Sequence, residues 1–184
     1  MKRTLFALVC VLALFASCNK EKPNERFIGN YKAAEMNLTA TVHADQTSGL
    51  IESAIDGQEV PVTFENVALN VVVGEKKDQV VAYMTIEGDT YQFNGTCSGD
   101  VIDFEQTTIQ ISKSDVAVPG SLFEIETVIT SSAKLNDAGQ LLYSGTFTGT
   151  GEITAPNFSL ISAVPITMDN GTISATVFEN NVVQ

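Results

Sequence analysis

The sequence contains no tryptophan and a single histidine, His43. One imidazole excludes the common structural zinc sites, which draw several ligands from Cys and His. No Gly-x-Ser-x-Gly elbow presents a nucleophilic serine. Asp45 and Ser48 lie too close to His43 along the chain for the usual triad geometry, so His43 reads as a turn or surface residue. Basic residues are scarce, 10 against 22 acidic ones, for a net charge of −12. A surface of that sign repels phosphate backbones and excludes nucleic acid as a partner. No window of helical length carries a 3.6-residue apolar stripe. The acidic clusters Asp100, Asp103, Glu105 and Glu124, Glu126 meet glycosidase carboxylate spacing merely by being two apart on a strand, and read as solvated faces. No EF-hand-like ligand spacing appears. Sugar-binding sheets commonly present Trp or Tyr platforms, and here only Tyr31, Tyr83, Tyr91 and Tyr143 are available. These shortages lead to a non-enzyme with no catalytic residues, no metal ligands and no cofactor.

What is present begins with a leader. Lys2 and Arg3 precede an uninterrupted apolar run, Leu5 to Phe15. A charged start, an apolar region of about 7–15 residues and small residues at the cleavage point define a secretory signal. The run is too short for a permanent span, which needs about 20 residues. Phe15-Ala16-Ser17-Cys18 resembles the lipobox of bacterial lipoproteins, with Phe15 where Leu is usual. The resemblance implies a diacylglycerol thioether on Cys18 and commonly a third acyl chain on its new amino group. Two or more chains anchor stably, at about 0.8 kcal/mol per buried CH₂. Asn19 differs from the aspartate that retains many such proteins at the inner membrane. The expected location is therefore the outer membrane, facing the periplasm or the surface.

The organisation that follows is a signal segment at 1–17, a polar tether at 18–26 and one domain at 27–184. Of the 184 residues, cleavage after residue 17 leaves 167 and takes the net charge to −14. That is enough chain for one core. The mature chain then holds Cys18, which carries lipid, and Cys97, so no intramolecular disulfide forms and Cys97 reads as a small buried hydrophobe.

The domain alternates with period two. Met36, Leu38, Ala40 and Val42 share a face, as do Val80, Ala82, Met84 and Ile86. Tyr91 and Phe93 share another, followed by Phe123, Ile125 and Ile129, then Leu141, Tyr143, Gly145 and Phe147, and lastly Ile173, Ala175 and Val177. Both faces of Val80–Ile86 are fairly apolar, which predicts cover on two sides. Asp56-Gly57 predicts a type I′ hairpin between Leu50–Ile55 and Val60–Phe64. Glu87-Gly88-Asp89, Asn136 to Gly139 and Asp169-Asn170-Gly171 predict further turns. Ile102 and Phe104 are even while Ile109 and Ile111 are odd, so a bulge or corner is expected between them. The Gly145-Thr-Phe-Thr-Gly149-Thr-Gly151 run lacks the Lys-Ser/Thr of a phosphate loop and predicts close backbone approach instead. About nine or ten strands with tight turns imply an all-β fold, an antiparallel meander barrel or alternatively a β-sandwich.

Phe27-Ile28-Gly29-Asn30-Tyr31 resembles the opening of lipocalin-like domains, with Tyr31 in the aromatic place. Ile102 to Thr107 and Ser144 to Gly151 are similar to segments of small calycin-like lipoproteins of Bacteroidetes-type bacteria. The resemblance implies structural roles for Gly29 and Tyr31 at the barrel base. The functional expectation is a lipid-anchored barrel holding a small apolar ligand, with Tyr83, Tyr91, Phe93, Tyr143 and Phe147 as candidate lining residues, each alternatively a core-packing side chain. The alternative is a structural or interaction component of an envelope complex, with a filled core.

Overall fold

Period-two alternation of Val, Ile, Thr and aromatic residues favours the pleated, half-buried surface of an antiparallel sheet. The computed structural model describes residues 22–44, 55–116, 119–154 and 163–180. Residues 1–17, read from the sequence as a signal segment, Cys18 and the run Leu50–Ala54 lie outside the described residues. Ten strands follow a short 3₁₀ turn at Glu25–Phe27: β1 Gly29–Ala44, β2 Gln58–Val73, β3 Gln79–Ile86, β4 Asp89–Ser98, β5 Val101–Phe104, β6 Thr107–Ser114, β7 Leu122–Leu135, β8 Leu141–Thr154, β9 Val164–Ala175 and β10 Glu179–Asn180. All pairings are antiparallel. The order β1-β2-β3-β4-β5-β7-β8-β9 closes through β9 on β1, a ring of eight strands. The fold is thus the meander barrel, and ring closure sets the sandwich aside.

A barrel wall must bend while keeping its apolar face inward, and bulges do this by inserting residues that reset parity. In β1 the buried positions switch from Tyr31 and Ala33 to Met36, Leu38 and Ala40. In β2 they switch from Val60, Val62 and Phe64 to Val67, Leu69 and Val71, with Asn66 at φ 56°. The expected break after Phe104 is found: Glu105-Gln106 separates β5 from β6, and the buried side chains change from Ile102 and Phe104 to Ile109 and Ile111. By contrast β7 and β8 bury odd-numbered positions throughout.

Two turn expectations need correction. Asp169-Asn170-Gly171 does not separate strands; it is a bulge inside β9, where the register to β1 and β8 shifts and Asn170 takes φ 54°. Turn and bulge both call for a residue that tolerates the left-handed region, so the same local chemistry serves either. Asp56-Gly57 does not form a type I′ hairpin, because only Gly57 has positive φ. Val60, Val62 and Phe64 instead pair with Ala40, Leu38 and Met36 of β1. Glu87-Gly88 is the I′ case: both residues have positive φ, and Ile86 faces Asp89 across the turn.

One line in the wall is not closed by a ladder. β4 pairs with β5 only from Gly95 to Ser98, and β6 pairs with β7 alone among the described residues. Glu105, in the connection before β6, donates its N–H to the Asn94 carbonyl at 2.8 Å, and the Tyr91 hydroxyl of β4 donates to the Gln110 carbonyl of β6. A Lys113–Glu87 ion pair links β6 to the β3–β4 turn.

The base of the barrel is closed by both flanks of the domain. The Asn24 side-chain amide donates to the Gln79 carbonyl at 2.8 Å, and Arg26 pairs with Asp100 at 2.6 Å. Ordered packing therefore reaches into residues 24–26, which the sequence assigns to the tether. At the other flank, Phe178 and Leu141 exchange two backbone hydrogen bonds of 2.9 and 3.0 Å, which seats the Phe178 ring under the core.

Candidate functional site

The strand pattern decides which tyrosines look inward. β3 buries Val80, Ala82, Met84 and Ile86, so Tyr83 stands on the opposite face. It is 38% exposed and borders a groove of about 500 Å³ on the outer wall with Lys32, Asn70 and Thr85. Tyr83 is therefore withdrawn as a lining residue, and β3 is covered on one side only. Tyr91 is half-buried against the core, and its hydroxyl is committed to the wall through Gln110. Burial and, secondarily, the Asp89 carboxylate push its pKa above the usual tyrosine value. Phe93, Tyr143 and Phe147 are buried inside the barrel as expected. Gly171 makes room for the Phe147 ring, since a Cβ there would fall 2.7 Å from the ring edge.

The interior aromatics meet each other. Phe93 and Phe104 centroids are 5.9 Å apart, Phe104 and Tyr143 6.2 Å, and Tyr143 and Phe178 6.3 Å at an interplanar angle of 87°. These are favourable aromatic geometries. Phe104 and Phe178 complete the set and were not among the sequence candidates. Phe178 lies beyond the last alternating run, where periodicity gives no signal.

Hydroxyls inside the core divide into two groups. Thr127 donates to the Ile109 carbonyl at 3.2 Å, Ser121 to Val116 at 2.8 Å and Tyr31 to Phe27 at 3.0 Å. Tyr143 Oη and Ser131 Oγ are buried away from backbone partners and have only each other; at the rim, Asn24 Oδ1 is buried with no partner. Ala133 is directly opposite Tyr143 and Gly145 is opposite Ser131, so Tyr143 and Ser131 are diagonal neighbours on the inner face. Ser131 could have been found from sequence by continuing the Phe123, Ile125, Ile129 alternation one step further.

Burial pushes the Tyr143 pKa up to about 12, opposed by the Ser131 side-chain hydrogen bond, and pushes the Cys97 thiol up to about 11, with Asp78 adding to the rise. Cys97 is buried and unpaired, as expected of a small hydrophobe. Both groups are held neutral in the folded state and ionise more readily once unfolded. Their contribution to stability is therefore complete below the unfolded values, about 9 for Cys and 10 for Tyr, and disappears as pH rises toward 11 and 12. Circular dichroism across an alkaline titration should show unfolding in that window. Tyr143→Phe should move its midpoint to higher pH.

The remaining candidates do not assemble chemistry. His43 is 47% exposed, with Nδ1 3.8 Å from Asp56 and Nε2 3.7 Å from Asp169. The carboxylates approach different nitrogens, so a single ion cannot take both contacts, and no cluster of three metal-binding side chains occurs among the described residues. Asp45 and Ser48 lie outside the described residues. Asp103, Glu105, Glu124 and Glu126 all point outward and are exposed, as a solvated face requires. No described helix is long and apolar enough to cross a membrane. No family model matches the chain, and no curated protein matches it either.

Proposed function

We propose that this chain is a lipid-anchored envelope protein, non-enzymatic, whose barrel holds a small apolar ligand. The observation that carries the reading is the ring of eight strands with a continuous apolar inner face, from Phe27 at the base to Ile166 and Met168 in β9. Closed barrels of about this strand number are wide enough either to be filled by side chains or to hold one small molecule. The lipobox-like Phe15-Ala16-Ser17-Cys18 supports the anchor and an outer-membrane location. The lipocalin-like opening Phe27 to Tyr31 supports the carrier role.

Two measurements test the two halves. Cys18→Ala should move the protein from the membrane pellet to the soluble fraction; retention in the pellet rejects the anchor. N-phenyl-1-naphthylamine, a neutral apolar fluorophore, should brighten on mixing with the lipid-free domain, and an unchanged spectrum at millimolar protein rejects the carrier. A second reading, a structural component of an envelope complex, is favoured by the Phe93–Phe104–Tyr143–Phe178 chain of rings that fills the base. It is the reading that survives if the dye does not bind.

A further inference from the structure

In a chain without tryptophan, an aromatic platform for a sugar falls to the four tyrosines. Three are spent on the fold. Tyr31 and Tyr143 are each 2% exposed, and the Tyr91 hydroxyl holds the Gln110 carbonyl. Tyr83 is 38% exposed and is the one exposed aromatic side chain among the described residues. Its place in the sheet gives it a polar frame. Across the outer wall Asn30 is opposite Asn70, Asn70 opposite Tyr83 and Tyr83 opposite Gln92, one transverse row over β1, β2, β3 and β4. All four residues are exposed. Three strand spacings make the row about 14 Å long. Gln92 ends it, with its amide N–H donating to Asn94 Oδ1 at 3.2 Å. Along the row lies the groove of about 500 Å³ that Asn30, Lys32, Asn70 and Tyr83 border. Ala68, directly opposite both Lys32 and Thr85, is part of the same lining, and its single methyl keeps the floor low.

We propose that this groove is a carbohydrate-binding site on the outer wall, taking a short stretch of an uncharged polysaccharide, with Tyr83 as the stacking platform and the Asn30 and Asn70 amides on the sugar hydroxyls. The site lies outside the barrel and is independent of the carrier reading. The ligand class follows from the lining. A pyranose ring has an apolar C–H face and an edge of hydroxyls. The π face of a tyrosine is negative and attracts those C–H hydrogens. Each amide sets a donor beside an acceptor, which matches neighbouring hydroxyls that both give and accept. Tyrosine has two side-chain torsions, so little freedom is lost on contact. Among the described residues lining the groove Lys32 is the one charged side chain, and no carboxylate joins it although the chain has 22 acidic residues. A single cation in a chain of net charge −12 is a poor match for a sulfated or phosphorylated ligand. A purely apolar ligand would strip water from the amides and return no hydrogen bonds. A molecule with one apolar face and hydroxyls around it satisfies ring and amides together.

The test is native electrophoresis of the Cys18→Ala protein through gels cast with laminarin, xyloglucan or galactomannan, and with dextran sulfate as the anionic control. At least one of the three neutral polysaccharides should retard the protein. Tyr83→Ala should weaken that binding by about tenfold or more, because the platform is gone. Tyr83→Phe keeps the ring and should stay within about threefold. Asn70→Ala should weaken binding about fivefold, the worth of one neutral hydrogen bond. Melting of each variant is recorded alongside and should match the parent closely, since the substituted side chains are exposed. The proposal stands if a neutral polysaccharide retards the parent and both Tyr83→Ala and Asn70→Ala weaken that retardation. Any other pattern overturns it, including retardation by dextran sulfate alone or by no polysaccharide. Should Tyr83→Ala fail to fold, Ala68→Gln, which raises the groove floor, takes its place in that pair.

Discussion

Phe178→Ala should lower unfolding stability by about 3–5 kcal/mol, the usual cost of emptying a buried phenylalanine site. Phe178 is fully buried and nearly perpendicular to Tyr143. It sits on a short segment held to Leu141 by two backbone hydrogen bonds, and among the described residues only Glu179 and Asn180 pair beyond it. The ring cannot be replaced by collapse of neighbours, because the base is walled by strands whose positions the ring closure fixes. Domains of this size have stabilities of about 5–15 kcal/mol, so a large share would be lost. The melting temperature should fall by on the order of 10 °C. Urea unfolding followed by circular dichroism measures the loss, with Glu179→Ala as an exposed control expected within about 0.5 kcal/mol. A loss under about 1 kcal/mol would mean that Phe178 is not part of the cooperative core.

Gly145→Val should be more damaging, leaving little soluble protein. Gly145 faces Ser131 across β7–β8, and a Cβ there would run into the Thr130 carbonyl and stand 2.7 Å from Ser131 Cβ and 2.8 Å from its Cα. Those atoms belong to the centre of a fourteen-residue strand paired along its length and have no room to retreat. The strain would have to move the strand, and with it the ring. Gly149→Ala provides the contrast. Its Cβ would lie 3.2 Å from both the Glu126 carbonyl and Thr127 Cγ2, so a shift of a few tenths of an ångström suffices. Soluble yield and melting temperature of the two variants, compared side by side, check the ordering. A well-folded Gly145→Val would show that β7 and β8 are further apart than the register requires.

The glycine run shows what kind of fact a sequence states openly. Gly145 and Gly151 in an otherwise Thr-rich strand announced close backbone approach, and the clashes at Thr130 and Glu124 account for both. The parity change between Phe104 and Ile109 was equally visible, since apolar side chains cannot change face without an extra residue. The parity changes in β1 and β2 were harder to see. In β1 the switch falls in Ala33-Ala34, where two adjacent small residues blur the alternation. In β2 it falls at Asn66, between apolar runs that each look complete. Asn170 failed for a different reason. Whether a left-handed Asn ends a strand or bends it is decided by the ladders to β1 and β8, about 130 and 20 residues away in sequence. For the interior site, period two placed Phe93, Tyr143 and Phe147 correctly and contradicted Tyr83, whose odd number in β3 already set it outside. Ser131 follows from carrying the alternation one step past Ile129, whereas Phe178 needed the folded barrel, because a phenylalanine after the last alternating run carries no mark of being tucked beneath it.

The line between β4 and β6 gives the barrel an uneven resistance to breathing. Gln110 turns its carbonyl toward Tyr91, and on an antiparallel strand the amide and carbonyl of one residue point the same way. The amides of Thr108, Gln110 and Ser112 therefore face this line rather than a neighbouring backbone, and their hydrogens should trade with deuterium well before those of β7 and β8. A cylinder of this kind loosens first along one side wall while its floor stays shut.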